Sequence, residues 1–394
     1  MAVKLKTVEK YESYAEQCQH CRIKFCRIGC EIVDVLGSET ITSYGKFGSI
    51  LMAARGIQPI DESFAQLFAY CTTCEWCQQR CPNTSFAGDF YLRTQPTVPL
   101  TMEIRNELLQ KGIIPNPAYP RILNNYKKTK GNVYGEPQKE RLNWVQKGIK
   151  IARKAPLLFY VGCTSSYRTQ LMAQATARIL NKLDIPFMVL GEKEICCGGP
   201  LLRIGYFEEA RQIAEDLIER LKATGAERII TSCPGCYKTF VKDWKYWLGL
   251  ELDIEVIHLS QLLSELINAG KLTLKKSFEG TVTYHDPCHL GRGTHVYEDP
   301  RQVLENIPGI NFVEMENIKY LARCCGAGGG FKASFPDLAV EIARRRLSEA
   351  QDIVGADIIV STCPFCMYNL QDGIKKNKMR IKYMDLGDLV QRVM

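Results

Sequence analysis

The 394-residue sequence lacks several signals of cellular location and of nucleotide binding. Its opening, MAVKLKTVEK, contains no apolar core of the kind found in secretory signals. No apolar run reaches the roughly 18–20 residues that a membrane-spanning helix needs. Neither a GxGxxG motif nor a P-loop occurs, which argues against a nucleotide site. We therefore expect a cytoplasmic protein that reaches a membrane only through a partner subunit, and any flavin would belong to another chain.

Strong charge of one sign is also missing. The net charge is +8, with 24% charged and 46% hydrophobic residues, which is ordinary for a globular protein. No Lys/Arg block is dense enough to indicate nucleic acid binding. The mild positive charge favours an acidic partner or an anionic substrate.

Cysteine, by contrast, is abundant, with 18 residues. Without an export signal we expect reduced thiols, so clustered cysteines indicate metal ligation rather than disulfides. Ten of them form an internal repeat in the second half, which predicts two related domains. Each copy has one lone Cys, one adjacent pair and one CxxC. The first set is Cys163, Cys196, Cys197, Cys233 and Cys236, and the second set is Cys288, Cys324, Cys325, Cys363 and Cys366.

The surrounding pattern alternates short apolar runs with amphipathic helical segments and predicts an α/β fold with parallel sheets. The predicted strands are 157–161, 187–190, 228–231, 255–258, 282–285, 357–360 and 381–384. The lone Cys and the CxxC of each set directly follow a predicted strand. Ligands gather at that edge of an open parallel sheet.

Glycines accompany the adjacent cysteine pairs. Gly198, Gly199, Gly326 and Gly328 would let the backbone approach a bulky cofactor, and their amides could hydrogen-bond its sulfides. Five thiols in each set exceed the four ligands of a tetrahedral zinc site, which favours an iron–sulfur assembly of unusual shape.

The first 100 residues carry two more cysteine groups in a mainly helical module, with helices predicted at 44–52 and 61–70. Cys71, Cys74, Cys77 and Cys81, followed by Pro82, match the C-x2-C-x2-C-x3-C-P run of bacterial ferredoxins. Cys18, Cys21, Cys26 and Cys30 depart from that run in spacing and in having Glu31 instead of proline. We expect a ferredoxin-like module with two cubane [4Fe-4S] clusters. The ligands of one cluster would be Cys18, Cys21, Cys26 and Cys81, and those of the other would be Cys71, Cys74, Cys77 and Cys30. Zinc is the alternative, and His20 is a possible substitute ligand.

Residues 101–155 contain many prolines and one predicted helix, at 102–111. We interpret them as a connecting segment without chemistry.

The repeated pattern, written CCG at Cys196 and at Cys324, resembles the cysteine-rich CCG domains of heterodisulfide reductases. Two such domains behind a two-cubane module resemble the catalytic subunit of that family. They also resemble subunits of sulfate-reduction membrane complexes and the iron–sulfur subunits of glycolate, lactate and glycerol-3-phosphate dehydrogenases. The resemblance implies a ferredoxin-like domain at 1–100, CCG domains at 156–275 and 276–394, and one noncubane [4Fe-4S] cluster in each complete cysteine set.

Two functions follow from this resemblance. The first is a reductase that cleaves or forms a disulfide of a small molecule or of a thiol carrier protein. Its electrons would come from a flavoprotein, a hydrogenase or formate dehydrogenase module, or a membrane quinone or cytochrome subunit. The second is an electron-transfer subunit for a flavin-dependent dehydrogenase of 2-hydroxy acids or of glycerol-3-phosphate.

A few side chains near the cysteines are candidates for supporting roles. His285 and His289 flank Cys288 and could relay a proton or hydrogen-bond a cluster. The cations near the cysteine loops could bind carboxylates or phosphates of a substrate, although surface salt bridges are the more common use of any one of them, and we interpret them so. These cations are Lys193, Arg203, Arg292 and Lys332.

Overall fold

A computed structural model describes residues 3–81 and 95–394. The N-terminal part is helical: α1 Lys6–Gln19, α2 Glu31–Leu36, α3 Ser43–Ala54, α4 Glu62–Ala69 and α5 Trp76–Arg80. Asp61 caps α4, because its Oδ1 accepts the Phe64 N–H at 3.0 Å. The cysteines of this part lie mostly in the loops between helices, as predicted. Pro82 lies outside the described residues.

The connecting segment holds more structure than the sequence indicated. It contains α6 Thr97–Gln110 and α7 Ala118–Thr129, so the prediction of a single helix was wrong. Pro117 is the N-cap of α7, and Pro120 lies in its first turn, where a missing N–H costs nothing. Tyr119 and Leu123 bury the inner face of α7 in the core.

Two four-stranded parallel sheets follow, with the same strand order. The first sheet runs β2-β1-β3-β4, with β1 Leu157–Phe159, β2 Phe187–Met188, β3 Arg228–Thr231 and β4 Glu255–His258. The second runs β6-β5-β7-β8, with β5 Gly280–Tyr284, β6 Ile310–Phe312, β7 Ile358–Ser361 and β8 Lys382–Asp385. The predicted α/β class and parallel pairing are confirmed, while β6 was not predicted.

Helices cover both sheets. Those of the first half are α8 Cys163–Tyr167, α9 Gln170–Lys182, α10 Gly199–Ile204, α11 Phe207–Ala223, α12 Pro234–Lys238 and α13 Leu259–Asn268, and α12 continues as a π-helix over Thr239–Leu248. Those of the second half are α14 Gly291–Thr294, α15 Glu298–Glu305, α16 Phe331–Ser334, α17 Pro336–Ser348, α18 Pro364–Asn377 and α19 Leu386–Val393, and α17 continues as a π-helix over Glu349–Ile353.

One hydrophobic core joins the two sheets. Phe159 and Ile230 from the first sheet share a buried cluster with Val282 and Val360 from the second. Because the sheets share this core, the two halves are held in a fixed relation. Among residues 3–81 and 95–394, no helix is both long and apolar enough to cross a membrane.

Candidate functional site: two facing sets of cysteines

The cysteines of both sets lie beyond the carboxyl ends of the central strands. Cys163 begins α8 just after β1, and Cys233 is the N-cap of α12 just after β3. In the second half, Cys288 follows β5 and Cys363 is the N-cap of α18 after β7. In each sheet these two strands are neighbours whose connections leave in opposite directions. Such a switch point is where ligands bind in open α/β sheets.

Within each set the thiols contact one another, and the order of these contacts is the same in both sets. Cys196 hydrogen-bonds with Cys163 and Cys197, and Cys236 hydrogen-bonds with Cys197 and Cys233. The second set repeats this chain in the order Cys288, Cys324, Cys325, Cys366 and Cys363. Cys366 Sγ lies 3.2 Å from Cys325 Sγ. The sequence repeat is therefore also a repeat of side-chain geometry.

The second cysteine of each adjacent pair has a lowered pKa. Hydrogen bonds from Cys196 and Cys236 hold the pKa of Cys197 well below its usual value. Hydrogen bonds from Cys324 and Cys366 do the same for Cys325. Thiolate character at these positions suits metal ligation, because the thiolate is the ligand form of cysteine.

Both sets open onto one cavity of about 450 Å³. Nine of the ten cysteines line it, five from the first set and Cys288, Cys325, Cys363 and Cys366 from the second. The tenth, Cys324, faces the N-terminal module, where its Sγ lies 3.5 Å from Thr72 Oγ1. A ligand in this cavity would touch thiols of both sets.

The first set is held by a buried ion pair that sequence reasoning missed. Arg141 Nη1 lies 2.7 Å from Glu194 Oε1, and both side chains are 1% exposed. Arg141 Nη2 also lies 3.4 Å from Cys163 Sγ. The pKa of Cys163 is lowered by a hydrogen bond from Cys196 and, in spite of burial, by the charge of Arg141.

Arg203 and Arg292 are buried, so their interpretation as surface salt-bridge residues was wrong. Arg203 lines the cavity and pairs with buried Asp243 at 2.6 Å. Lys238 joins this network through Asp243 at 3.1 Å and Glu75 at 2.9 Å. Arg292 contacts main-chain carbonyls between the modules and is 1% exposed.

The other two candidate cations differ in position. Lys332 lines the cavity and donates to Asn369 at 2.7 Å and to Asp372 at 2.6 Å. Lys193 is exposed and lies away from the described lining of the cavity. Only Lys332 and Arg203, of the four cations singled out from the sequence, are placed among the described residues where a bound molecule would meet them.

The two histidines lie at different places in the site. His289 lines the cavity, and burial together with the charges of Arg203 and Lys238 holds its pKa well below the usual value. His285 is buried behind the second set, and its ring lies within 4.8 Å of the sulfurs of Cys325 and Cys366. Its Nδ1 accepts a hydrogen bond from Arg346 Nε at 3.2 Å.

The glycines contact protein as well as sulfur. The Gly326 amide donates to Cys324 Sγ at 3.3 Å, and the Gly199 amide donates to Cys197. A Cβ on Gly328 would lie 2.6 Å from Thr72 O, and one on Gly198 would lie 3.1 Å from Ala210 O. These glycines therefore allow close packing of neighbouring chain segments as well as amide contacts to thiols.

The N-terminal cysteines form two groups that mix the sequence quartets. Cys18, Cys21, Cys26 and Cys81 line one small cavity. The second group contains Cys30, Cys71, Cys74 and Cys77, which are electrostatic neighbours of one another. Burial raises the pKa of Cys18 and of Cys30 to about 12. Such thiols lose their protons when a metal binds, so loading of these groups would depend on pH.

The second N-terminal group touches the second set, a contact that the sequence did not predict. Cys74 hydrogen-bonds with Cys324. This contact crosses from the helical module to the α/β half of the chain. No spacing rule relates residues so far apart, so sequence reasoning had no signal for it.

Comparison with known proteins gives matches over most of the chain. A family model described as a cysteine-rich CCG domain matches residues 157–241 and 282–371. A protein from Methanosarcina acetivorans, named as one of the subunits of dihydromethanophenazine:CoB--CoM heterodisulfide reductase, is 42% identical over 330 residues, which cover 82% of this chain and 77% of that protein. The Bacillus subtilis protein named "Probable iron-sulfur-binding oxidoreductase FadF" is 31% identical over 335 residues, which cover 81% of this chain and 45% of that protein.

Among solved structures, a hypothetical protein from Helicobacter pylori matches with a TM-score of 0.54 and 12% identity. The match covers 98% of this chain and 76% of that one, and it shows a shared fold alone.

Proposed function

The chain belongs to the heterodisulfide reductase family of proteins with paired CCG domains, and from that membership we propose that it is an iron–sulfur oxidoreductase that cleaves or forms a disulfide. The substrate is a heterodisulfide of small thiols, or a disulfide or trisulfide on a carrier protein. In the reducing direction, one sulfur–sulfur bond breaks with two electrons and two protons, which gives two thiols from a disulfide, or one thiol and one hydropersulfide from a trisulfide.

One observation supports this proposal above the others: thiols of both sets, nine of the ten, line a single cavity. The cavity of about 450 Å³ falls within the size range of ligand pockets, and it is the space that the clusters and a small disulfide would share. Because thiols of both sets reach this cavity, each half of a parting disulfide can be received by a different set. An electron-transfer protein with a single cysteine set would offer a place for only one of the two sulfur atoms.

The donor sets fit iron–sulfur clusters. We propose one noncubane [4Fe-4S] cluster on each set of five cysteines, and one cubane on each of the two N-terminal groups. Soft thiolates in groups of four and five suit iron–sulfur clusters, and the groups of five exceed the four ligands of a structural zinc site. Bound there, the clusters would supply single electrons and iron that stabilises a thiolate.

The chain's own residues prepare the cavity for its substrate. Arg203 and Lys332 lie on the lining, where each also pairs with an aspartate, and we propose that they bind carboxylate, sulfonate or phosphate groups of the substrate. His289 faces the same space, and its low pKa leaves a neutral ring that hydrogen-bonds a substrate sulfur or passes on a proton. Pro287 and Val340 supply apolar surface, which excludes water from the sulfur atoms.

We propose that residues 1–100 form the ferredoxin-like module and that the CCG domains occupy 156–275 and 276–394. A partner subunit exchanges electrons with the N-terminal module. The partner is a flavoprotein, a hydrogenase or formate dehydrogenase module, or a membrane quinone or cytochrome subunit. The relative in Methanosarcina acetivorans is itself named as one subunit of a reductase.

An electron-carrying role without a substrate is the second candidate. It is favoured by the 31% identity to FadF, whose name specifies iron–sulfur binding and oxidoreduction but no disulfide. On that account the chain passes electrons between a flavoprotein dehydrogenase and an acceptor. The presence of all five cysteines in both sets favours the disulfide role.

Anaerobic turnover of the purified chain distinguishes the two roles. Reduced viologen is supplied with a mixed disulfide of two anionic thiols, and released thiols are counted. The disulfide role predicts two thiols for every two electrons consumed, and loss of turnover in both Cys197→Ser and Cys325→Ser. Turnover that requires an added flavoprotein and its hydroxy-acid substrate would support the second role instead.

A further inference from the structure

The loop of residues 71–77, here called the inner loop, packs directly on the second cysteine set. It carries Cys71, Cys74 and Cys77. Cys74 hydrogen-bonds with Cys324, and Thr72 Oγ1 accepts from Cys324 Sγ at 3.5 Å. A Cβ on Gly328 would meet Thr72 O at 2.6 Å, so the two backbones are in close contact.

Arg292 holds this contact from one side. It lies on α14, four residues after Cys288, and its side chain is 1% exposed. Its Nε donates to Cys74 O at 2.7 Å, and its Nη1 donates to Ala322 O at 2.7 Å. Its guanidinium also lies 5.6 Å from the ring of Trp76. One side chain thus joins the inner loop to the segment that leads into Cys324.

Arg105 holds the inner loop from another side. It lies on α6 and is fully buried. Its Nη2 donates to Cys71 O at 2.8 Å, while its Nη1 donates to Arg203 O at 2.7 Å and to Gly329 O at 3.2 Å. It therefore connects the inner loop to both halves of the α/β region.

The two guanidiniums share an unusual environment. Every hydrogen bond that they make within residues 3–81 and 95–394 ends on a main-chain carbonyl. A buried charge without a carboxylate partner is costly. Arg292 carries its charge between Cys74 O, on the inner loop, and Ala322 O, two residues before Cys324.

We infer that Arg292 and Arg105 are positioning residues that fix the inner loop on the second cysteine set, and that Arg292 also places a buried positive charge between the Cys74 group and the Cys288 set. Neither side chain lines the described part of the cavity. The charge role rests on the proposed function, because its measurement needs bound iron–sulfur clusters, whereas the positioning role does not.

The test separates charge from position by comparing Arg292→Lys with Arg292→Gln. Redox titration followed by electron paramagnetic resonance gives the midpoint potential of each signal, and Cys74→Ser and Cys325→Ser assign the signals. Arg292→Gln is expected to shift the second-set signal to lower potential, because a positive charge beside it is lost. Arg292→Lys retains the charge but not the forked geometry, so its potential is expected to stay close to that of the wild type.

Position is read by hydrogen exchange of amides in the inner loop and in residues 320–326. Both Arg292 variants and Arg105→Lys are expected to exchange faster there, with unchanged exchange in β1 and β5. Arg228→Gln, which removes exposed ion pairs with Glu255 and Glu265 at the start of β3, is the control. It should leave inner-loop exchange and the second-set potential unchanged.

The inference is overturned if Arg292→Gln keeps both the potential of the second set and the exchange rate of the inner loop. Hydrogen exchange requires no cluster, so it decides the positioning role even in a variant that loads iron poorly. Absence of disulfide turnover in the wild type would defeat the proposed function, but it would leave both measurements on Arg292 valid.

Discussion

Replacing Arg141 with methionine tests how the first cysteine set is held. The change removes a charge that lies 2.7 Å from Glu194, in a place where both side chains are 1% exposed. Glu194 in turn accepts the amides of Val161 and Gly162 at 3.0 and 2.9 Å, and these residues lead into Cys163. Breaking a buried pair by removing one partner costs about 3–5 kcal/mol. We expect a loss of stability of that size for Arg141→Met.

The loss of stability in Arg141→Met should become larger as pH rises. Burial raises the pKa of Glu194, and Arg141 partly opposes that rise. In Arg141→Met the opposing charge is gone, so the folded pKa rises further and unfolding releases a proton. Stability of the variant relative to the wild type therefore falls as pH rises above the ordinary glutamate range.

Urea denaturation followed by circular dichroism, at matched iron content and at pH 5 and 8, measures this effect. Adding Glu194→Gln to Arg141→Met should restore part of the stability, because it removes the buried carboxylate that has lost its partner, and its one amide oxygen can still accept one of the two backbone amides. Lys245→Met removes an exposed pair with Glu251 and serves as a control that should not change the midpoint. A loss below about 1 kcal/mol for Arg141→Met, equal at both pH values, would refute the reasoning.

Three further predictions concern other parts of the molecule. Burial raises the pKa of Asp385 to about 7. Unfolding therefore releases a proton between about pH 4 and 7, and the stability of the protein falls as pH rises through that range. Asp385→Asn should remove up to about 4 kcal/mol of this pH dependence, measured as urea midpoints against pH. Gly328→Ala should lower the free energy of unfolding by roughly 1–3 kcal/mol, because the added Cβ would lie 2.6 Å from Thr72 O. The control Gly48→Ala, in helix α3, should not lower the melting temperature. Lys332→Gln should raise KM for an anionic disulfide more than for a neutral one, and an equal change for both would contradict a charge role.

Much of the α/β region could be predicted because four of its strands, β1, β3, β5 and β7, are apolar runs that lead into a cysteine. The predicted ranges for β3 and β4 match the structure at both ends. Strand β6 was missed because Ile310–Phe312 is a short edge strand with an exposed middle residue, so it has no continuous apolar run. Helix α7 was missed because prolines dominated the interpretation, although Tyr119, Ile122, Leu123 and Tyr126 recur at helical spacing.

The site was predictable in its cysteines and not in its charged residues. A strand end places a cysteine at a sheet edge by topology alone, so the two sets could be proposed from spacing. Arginine is mostly a surface residue, and nothing in its local sequence marks Arg105 or Arg141 as buried. Their burial depends on partners more than 50 residues away, such as Glu194 for Arg141. Long-range pairing of this kind needs the folded structure.

Diffraction at the iron absorption edge, from crystals soaked with a mixed disulfide under reducing conditions, tests the central claim most directly. The account predicts iron at both cysteine sets, with substrate sulfur in the cavity next to each. Iron at one set alone, or a single zinc ion at each, would contradict it.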